Sequence, residues 1–132
     1  MSTSRSARLV LFVEDDADIR ALYGAALRGG GLSVDEVVTV EEAIEVAARL
    51  KPDAVVLDRH LPDGDGWQVA RYLRQDPSTK EIPIVAFTSH IERADVENAI
   101  VAGCDVFVPK PCDPSTLVRH VKGLLDAVTR PS

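Results

Sequence analysis

The sequence predicts an α/β domain in which a doubly wound, five-stranded parallel sheet carries helices on both faces. Three observations lead there. From Arg8 onward, short apolar runs rich in Val, Ile and Phe alternate about five times with longer segments of helical period. That alternation is the signature of βα units built around a parallel sheet. Most of the short runs are apolar nearly throughout, as strands covered on both faces must be, and turn or cap residues fall at the boundaries between segments.

The elements follow in order. Arg8–Val13 is the first strand candidate, and Ile19, Leu22, Tyr23, Ala26 and Leu27 form a helical stripe behind it that should bury one face. Gly29-Gly30-Gly31 stops that helix. Ser33–Val38, more polar than the others, is placed as a second strand at a sheet edge. Lys51-Pro52 closes the second helix ahead of the apolar third strand, Ala54–Leu57. Trp67 begins a third amphipathic segment with Ala70, Tyr72 and Leu73, where packing accounts for the indole without any chemistry. Ile82–Phe87 is the fourth strand, Gly103 follows the fourth helix, and Val106–Val108 is the fifth strand. Asp113-Pro114, a cap followed by a first-turn proline, opens the fifth helix, whose stripe is Leu117, Val118, Val121, Leu124, Leu125 and Val128.

Bulk properties narrow the function. A chain of 132 residues suits one domain that buries a core without disulfides or a structural metal. Residues 8–128 are expected to form it, with tails at 1–7 and 129–132. The longest unbroken apolar run, Leu9–Val13, is far too short to cross a bilayer, so no membrane insertion and a cytoplasmic location are expected. A formal net charge of −6 argues against binding nucleic acid or anionic lipid, while a local acidic cluster would welcome a divalent cation. Cys104 and Cys112 lie outside any CxxC pair and have no clustered histidine, so they read as buried, reduced thiols.

In open parallel α/β sheets the working site forms at the carboxyl ends of the strands, near the point where strand order reverses. Here the first strand ends in Glu14-Asp15-Asp16 and the third in Asp58, so two strand ends deliver carboxylates to the same edge. Clustered anions need protons, basic side chains or a cation to compensate them, and hard oxygen ligands with open positions suit Mg²⁺. The fourth strand ends in Thr88-Ser89, which supply hydroxyls, and the fifth leads to Lys110, which supplies an ammonium. Phosphoryl transfer to a carboxylate requires a nucleophile, a metal and donors for the oxygens on which charge accumulates. Taken singly, each residue has a bland explanation as a helix-terminal acid, a capping hydroxyl or a surface lysine. Their joint arrival at successive strand ends is what points to chemistry.

The segments LVLFVEDD, VVLDRHLPDGDGW, IPIVAFTS and VFVPKP resemble the receiver domain of two-component response regulators, from about Arg8 to Val128. The resemblance implies a flavodoxin-like strand order 2-1-3-4-5 and a signalling phosphoacceptor, self-catalysing phosphotransfer and dephosphorylation, in place of an enzyme. It makes Asp58 the acceptor of a phosphoryl group from a sensor histidine kinase or histidine phosphotransfer protein. Glu14 and Asp15 become the acidic pair, with Asp15, Asp58 and the backbone carbonyl of His60 contacting Mg²⁺ directly and Glu14 through water. Thr88 matches the switch hydroxyl, and Lys110 matches the family's lysine, followed by Pro111 in what is often a cis peptide. The implied partner face is the fourth helix, fifth strand and fifth helix, with a monomer or a phosphorylation-dependent dimer as the assembly.

Some residues depart from the pattern or stand beside it. Phe107 occupies the aromatic switch position where many members have Tyr, and Cys112 stands where an apolar aromatic is common. His60 and His90 lie two residues beyond Asp58 and Thr88, where family members tune the lifetime of the phosphoryl group. Asp16 is read as supportive. Asp63-Gly64-Asp65-Gly66 echoes a calcium loop, but Arg74 stands where the bidentate glutamate would be needed. An aspartyl-nucleophile phosphatase would carry a second acid where His60 stands, and no GxGxxG or Walker loop follows the first strand. The Met1 start and the end soon after the fifth helix suggest a stand-alone receiver; the alternative is one excised from a hybrid kinase or DNA-binding regulator.

Overall fold

A computed structural model describes residues 7–129, so the tails expected at 1–7 and 129–132 fall outside it except for Ala7 and Thr129. The chain runs β1 (Leu9–Val13), α1 (Ala17–Gly29), β2 (Ser33–Val37), α2 (Val40–Leu50), β3 (Ala54–Leu57), β4 (His60–Leu61), β5 (Gly64–Asp65), α3 (Trp67–Gln75), β6 (Ile84–Thr88), α4 (Arg93–Ala102), β7 (Val106–Pro109) and α5 (Pro114–Thr129). Five strands form one parallel sheet in the order β2-β1-β3-β6-β7. Since β6 and β7 are the fourth and fifth strands expected from sequence, this is the 2-1-3-4-5 order, with β2 at the edge where its polarity put it. The antiparallel pair β4–β5 has no counterpart among the strands expected from sequence; two-residue strands are too short to show any periodicity.

Alternation along the central strands divides the core in two. Leu11 and Val13, Val55 and Leu57, and Ile84 and Ala86 face α2, α3 and α4. Val10 and Phe12, Ala54 and Val56, and Val85 and Phe87 face α1 and α5. Because both faces are covered, β1, β3 and β6 leave almost no polar position to interrupt their apolar runs. The fourth strand starts at Ile84, two residues later than the apolar run suggested, because Pro83 has no N–H to give the ladder.

The helix boundaries come from local chemistry. Asp16 caps α1 by accepting from Asp18 N (2.9 Å) and Ile19 N (3.0 Å). The α1 stripe is narrower than expected: Tyr23 and Leu27 are buried, but Leu22 is 53% exposed, one residue off the face that meets the sheet. Thr39 caps α2, and Asp63 adds a second cap from the β4–β5 turn through Val40 N (2.8 Å) and Glu41 N (3.1 Å). Those two bonds hold the Asp63 carboxyl below its ordinary range. Gly103 ends α4 at φ 115°, a conformation that favours glycine. α4 itself is weakly anchored by apolar contact, since its fully buried residues are Ala99 and Ala102. A buried methyl contributes about 0.8 kcal/mol, against roughly 1.5–3 kcal/mol for a Val or Leu side chain.

Trp67 is buried in the α3 layer, as its place in the amphipathic pattern suggested, whereas Tyr72 is exposed. Among the described residues, its indole N–H is a buried donor without a protein partner. Cys104 is buried, but Cys112 is half-exposed, because it sits in the turn before α5.

Two outcomes follow from this packing. A Cβ on Gly66 would overlap the Asp58 carbonyl oxygen, and backbone cannot give way as a side chain does, so Gly66→Ala should destabilise the fold by about 1–3 kcal/mol or more; a urea midpoint equal to wild type would contradict the packing described. Burial pushes the Cys104 thiol up to about 12, leaving almost no thiolate at pH 8. Iodoacetamide should therefore spare Cys104 in the native protein and label it in urea, and rapid native labelling would show that the α4–β7 junction opens.

Candidate functional site

The register of the sheet brings the candidate residues together. Val13 lies opposite Leu57, and Asp58 N donates to Val13 O (3.1 Å), so the residues after β1 and β3 emerge side by side. Carboxylate oxygens of Glu14, Asp15 and Asp58 all lie within 4.8 Å of one another. Glu14 is 1% exposed, Asp58 is buried beneath the cleft and Asp15 is exposed.

Lys110 reaches this cluster from the turn after β7, where its backbone N donates to Thr88 O (2.9 Å). Its Nζ donates to Glu14 Oε1 at 2.7 Å and lies 3.3 Å from Asp58 Oδ2. The ammonium also sits 5.3 Å from the centroid of the Phe87 ring, in cation–π contact. The Lys110–Pro111 peptide is cis, as the resemblance implied.

Electrostatics explain why the arrangement is poised. Burial pushes the Glu14 carboxyl up, the Lys110 hydrogen bond pulls it back, and the Asp58 charge pushes it up again. Burial alone would lower Lys110, but the hydrogen bond it donates to Glu14 and the charges of Asp58 and Glu14 hold it above its ordinary value. Lys110 is thus firmly cationic at neutral pH. Three carboxylates set against one ammonium leave an excess of two negative charges.

A cleft of about 420 Å³ opens over the cluster, lined by Asp15, Asp58 and Lys110 on one side and His60, Ser89 and His90 on the other. The His60 and His90 rings lie 4.1 Å apart, so these residues, separated in sequence, meet at the mouth of the cleft. Thr88 is fully buried, and its hydroxyl turns to His90, accepting from the backbone N at 3.2 Å and lying 3.4 Å from Nδ1. Phe107 is half-buried against the α4 side of the core, away from the cleft.

One residue at the site went unremarked in the sequence. Arg59 N donates to Asp58 Oδ1 (2.7 Å), while its guanidinium pairs with Asp95 of α4 (2.9 Å) and Asp65 of β5 (3.6 Å). A charged residue directly after a strand-end aspartate was the available signal, but its partner is 36 residues away and no local pattern names it.

Comparison with known proteins agrees with this geometry. The family model for the response regulator receiver domain matches residues 10–122. The phosphate regulon transcriptional regulatory protein PhoB of Escherichia coli K12 is 31% identical over 123 residues, which is 93% of this chain and 54% of that protein. The KDP operon transcriptional regulatory protein KdpE of Escherichia coli K12 is 39% identical over 102 residues, 77% of this chain and 44% of that protein. The chain therefore spans about half the length of the curated relatives it matches. Among solved structures, the signal receiver domain of a histidine kinase from Syntrophus aciditrophicus superposes with a TM-score of 0.87 at 30% identity, covering 96% of each chain. The receiver domain of sensor histidine kinase PA1611 from Pseudomonas aeruginosa PAO1, solved with a magnesium ion in its active-site cleft, gives 0.85 at 29% identity, covering 91% of this chain and 98% of its own. With its sheet order, its clustered strand-end acids and the family match over residues 10–122, the chain belongs to the response regulator receiver domains.

Proposed function

We propose that this chain accepts a phosphoryl group on Asp58 from the phosphohistidine of a sensor kinase or phosphotransfer protein and converts it into a conformational signal. The observation that carries the reading is the single ammonium of Lys110 set between Glu14 (2.7 Å) and Asp58 (3.3 Å) beneath an open cleft. In the transfer, a carboxylate oxygen of Asp58 bonds to phosphorus, the P–N bond to the donor imidazole breaks, and the imidazole nitrogen keeps the electron pair. Lys110 offers its ammonium to the phosphoryl oxygens, and the Arg59 N–H fixes the other side of the acceptor through Oδ1. The receiver unit is taken as residues 8–128.

The donor set fits Mg²⁺: it is all oxygen, it is partly open to solvent, and its excess of two negative charges equals the charge of the ion. Asp15, Asp58 and the His60 carbonyl would hold the ion directly. Both Glu14 oxygens already accept, one from Lys110 and the other from Asp16 N at 3.1 Å, so Glu14 would act through water. When bound, the ion supplies charge neutralisation between the acceptor and the incoming phosphoryl oxygens. The PA1611 receiver's magnesium supports the same choice here.

The signal leaves through Thr88 and Phe107. Drawing the Thr88 hydroxyl from His90 toward new phosphoryl oxygens vacates space beside β7, where the half-buried Phe107 packs. A Phe has no hydroxyl to anchor an outward rotamer, so the inward state is populated before phosphorylation. The face made by α4, β7 and α5 then meets the downstream protein, as a monomer or a phosphorylation-dependent dimer. PhoB and KdpE are transcriptional regulators, but with a net charge of −6 this chain is read as contacting a protein target, not nucleic acid, in the cytoplasm.

Intact mass after acetyl phosphate and Mg²⁺ should show one acid-stable-negative, hydroxylamine-sensitive phosphoryl adduct that is absent in Asp58→Asn; an adduct persisting in that variant would remove Asp58 as acceptor. Calorimetric titration should show Mg²⁺ affinity falling by at least about tenfold in Asp15→Ala, the scale that even outer-shell changes reach at metal sites. Unchanged affinity would refute the ligand role of Asp15.

A further inference from the structure

We infer that Arg59 is a positioning residue that latches the N-terminal turn of α4 to the phosphoacceptor, and that acceptance of a phosphoryl group by Asp58 releases that latch. The inference rests on the reading of Asp58 as acceptor and names a route for the signal separate from Thr88 and Phe107.

The argument begins with how α4 is held. Its fully buried residues are two alanines, Ala99 and Ala102, while Ile100 and Val101 are 62% and 86% exposed. Apolar burial therefore does little to fix this helix on the sheet. Its ends are held instead by two arginines from elsewhere in the chain. At the C-terminal end Arg74 Nε donates to Gly103 O (3.0 Å), and its other nitrogens reach Ile82 O (2.6 Å), Lys80 O (2.8 Å) and Asp105 Oδ2 (2.8 Å). None of those four partners belongs to the acceptor site, so this anchor has no reason to respond to it.

At the N-terminal end Arg59 Nη1 donates to Asp95 Oδ1 at 2.9 Å. The same Asp95 uses Oδ2 to accept from Glu92 N (3.1 Å), the reciprocal bond of the capping box that begins α4. One carboxylate thus both starts the helix and ties it to Arg59. The pair is partly shielded, with side chains 25% and 19% exposed, so it is less screened than a surface ion pair.

The root of Arg59 lies on the acceptor itself, because its backbone N–H donates to Asp58 Oδ1 at 2.7 Å. Phosphorylation changes that root. The Asp58 carboxylate becomes an acyl phosphate, which weakens what had been a charge-assisted hydrogen bond. The first turn of α4 is released while Arg74 keeps the other end in place, so the helix pivots near Gly103.

Hydrogen exchange of the full chain tests this, reading the amides of the first turn, residues 93–96, with and without beryllofluoride and Mg²⁺. In the unmodified protein Arg59→Gln and Asp95→Asn should each speed exchange there several-fold, toward the level beryllofluoride produces in wild type. The double variant should add nothing further, and Arg59→Lys should retain most of the protection. Asp65→Asn is the control: it removes the other anion beside Arg59 (3.6 Å) without touching α4, and should leave exchange in that turn unchanged. Unchanged exchange in Arg59→Gln, or additive effects in the double variant, would overturn the latch even if wild type responds to beryllofluoride. A wild-type protein that forms the phosphoryl adduct on Asp58 but shows no response of this turn to beryllofluoride would overturn the release step, whereas absence of the adduct would overturn the acceptor reading beneath it.

Discussion

The structure depends on one ammonium placed among carboxylates that would otherwise repel one another. Lys110 arrives from the turn after β7, Glu14 from β1 and Asp58 from β3, so a single interaction ties together three strand ends. Burying Glu14 beside Asp58 is unfavourable on desolvation and on like charge, and Lys110 is the main offset to both, with a smaller one from the Asp16 N–H. The compensation is incomplete, and the remaining negative charge suits the cluster to a divalent cation.

The sheet supplies the rigidity that such an arrangement needs. β1, β3 and β6 are buried on both faces, so the residues that leave their carboxyl ends start from fixed positions. Side chains on rigid elements hold reactive geometry better than those on loops. The less firmly anchored parts lie beside the sheet: the exposed turn after β6 that carries Ser89 and His90, and α4, whose apolar anchor is two alanines. A receiver needs this contrast, because a signal requires a site that stays put and a surface that does not.

Much of this was legible in the sequence because it is encoded locally. Four apolar runs and one more polar run announce the strands, and the residues at the ends of those four, Glu14 and Asp15, Asp58, Thr88 and Lys110, could be assigned to one sheet edge before any geometry was known. What was not legible depends on contacts between distant segments. The β4–β5 pair is too short for a pattern, and the exposure of Leu22 depends on the rotation of α1 against α5. Arg59 and Asp95 each look like ordinary solvated charges until the fold brings α4 beside the acceptor. The orientation of the Thr88 hydroxyl toward His90, away from the carboxylates, is likewise a tertiary fact.

The most direct test of the account is a carboxyl-carbon NMR titration of Glu14, in wild type and Lys110→Met, each with and without Mg²⁺. If Lys110 holds the cluster together, its loss should move the Glu14 titration to higher pH, and Mg²⁺ should lower it in wild type by supplying positive charge beside the same carboxylate. A Glu14 that titrates at the same pH in both proteins and ignores Mg²⁺ would contradict the claim that this lysine organises the site.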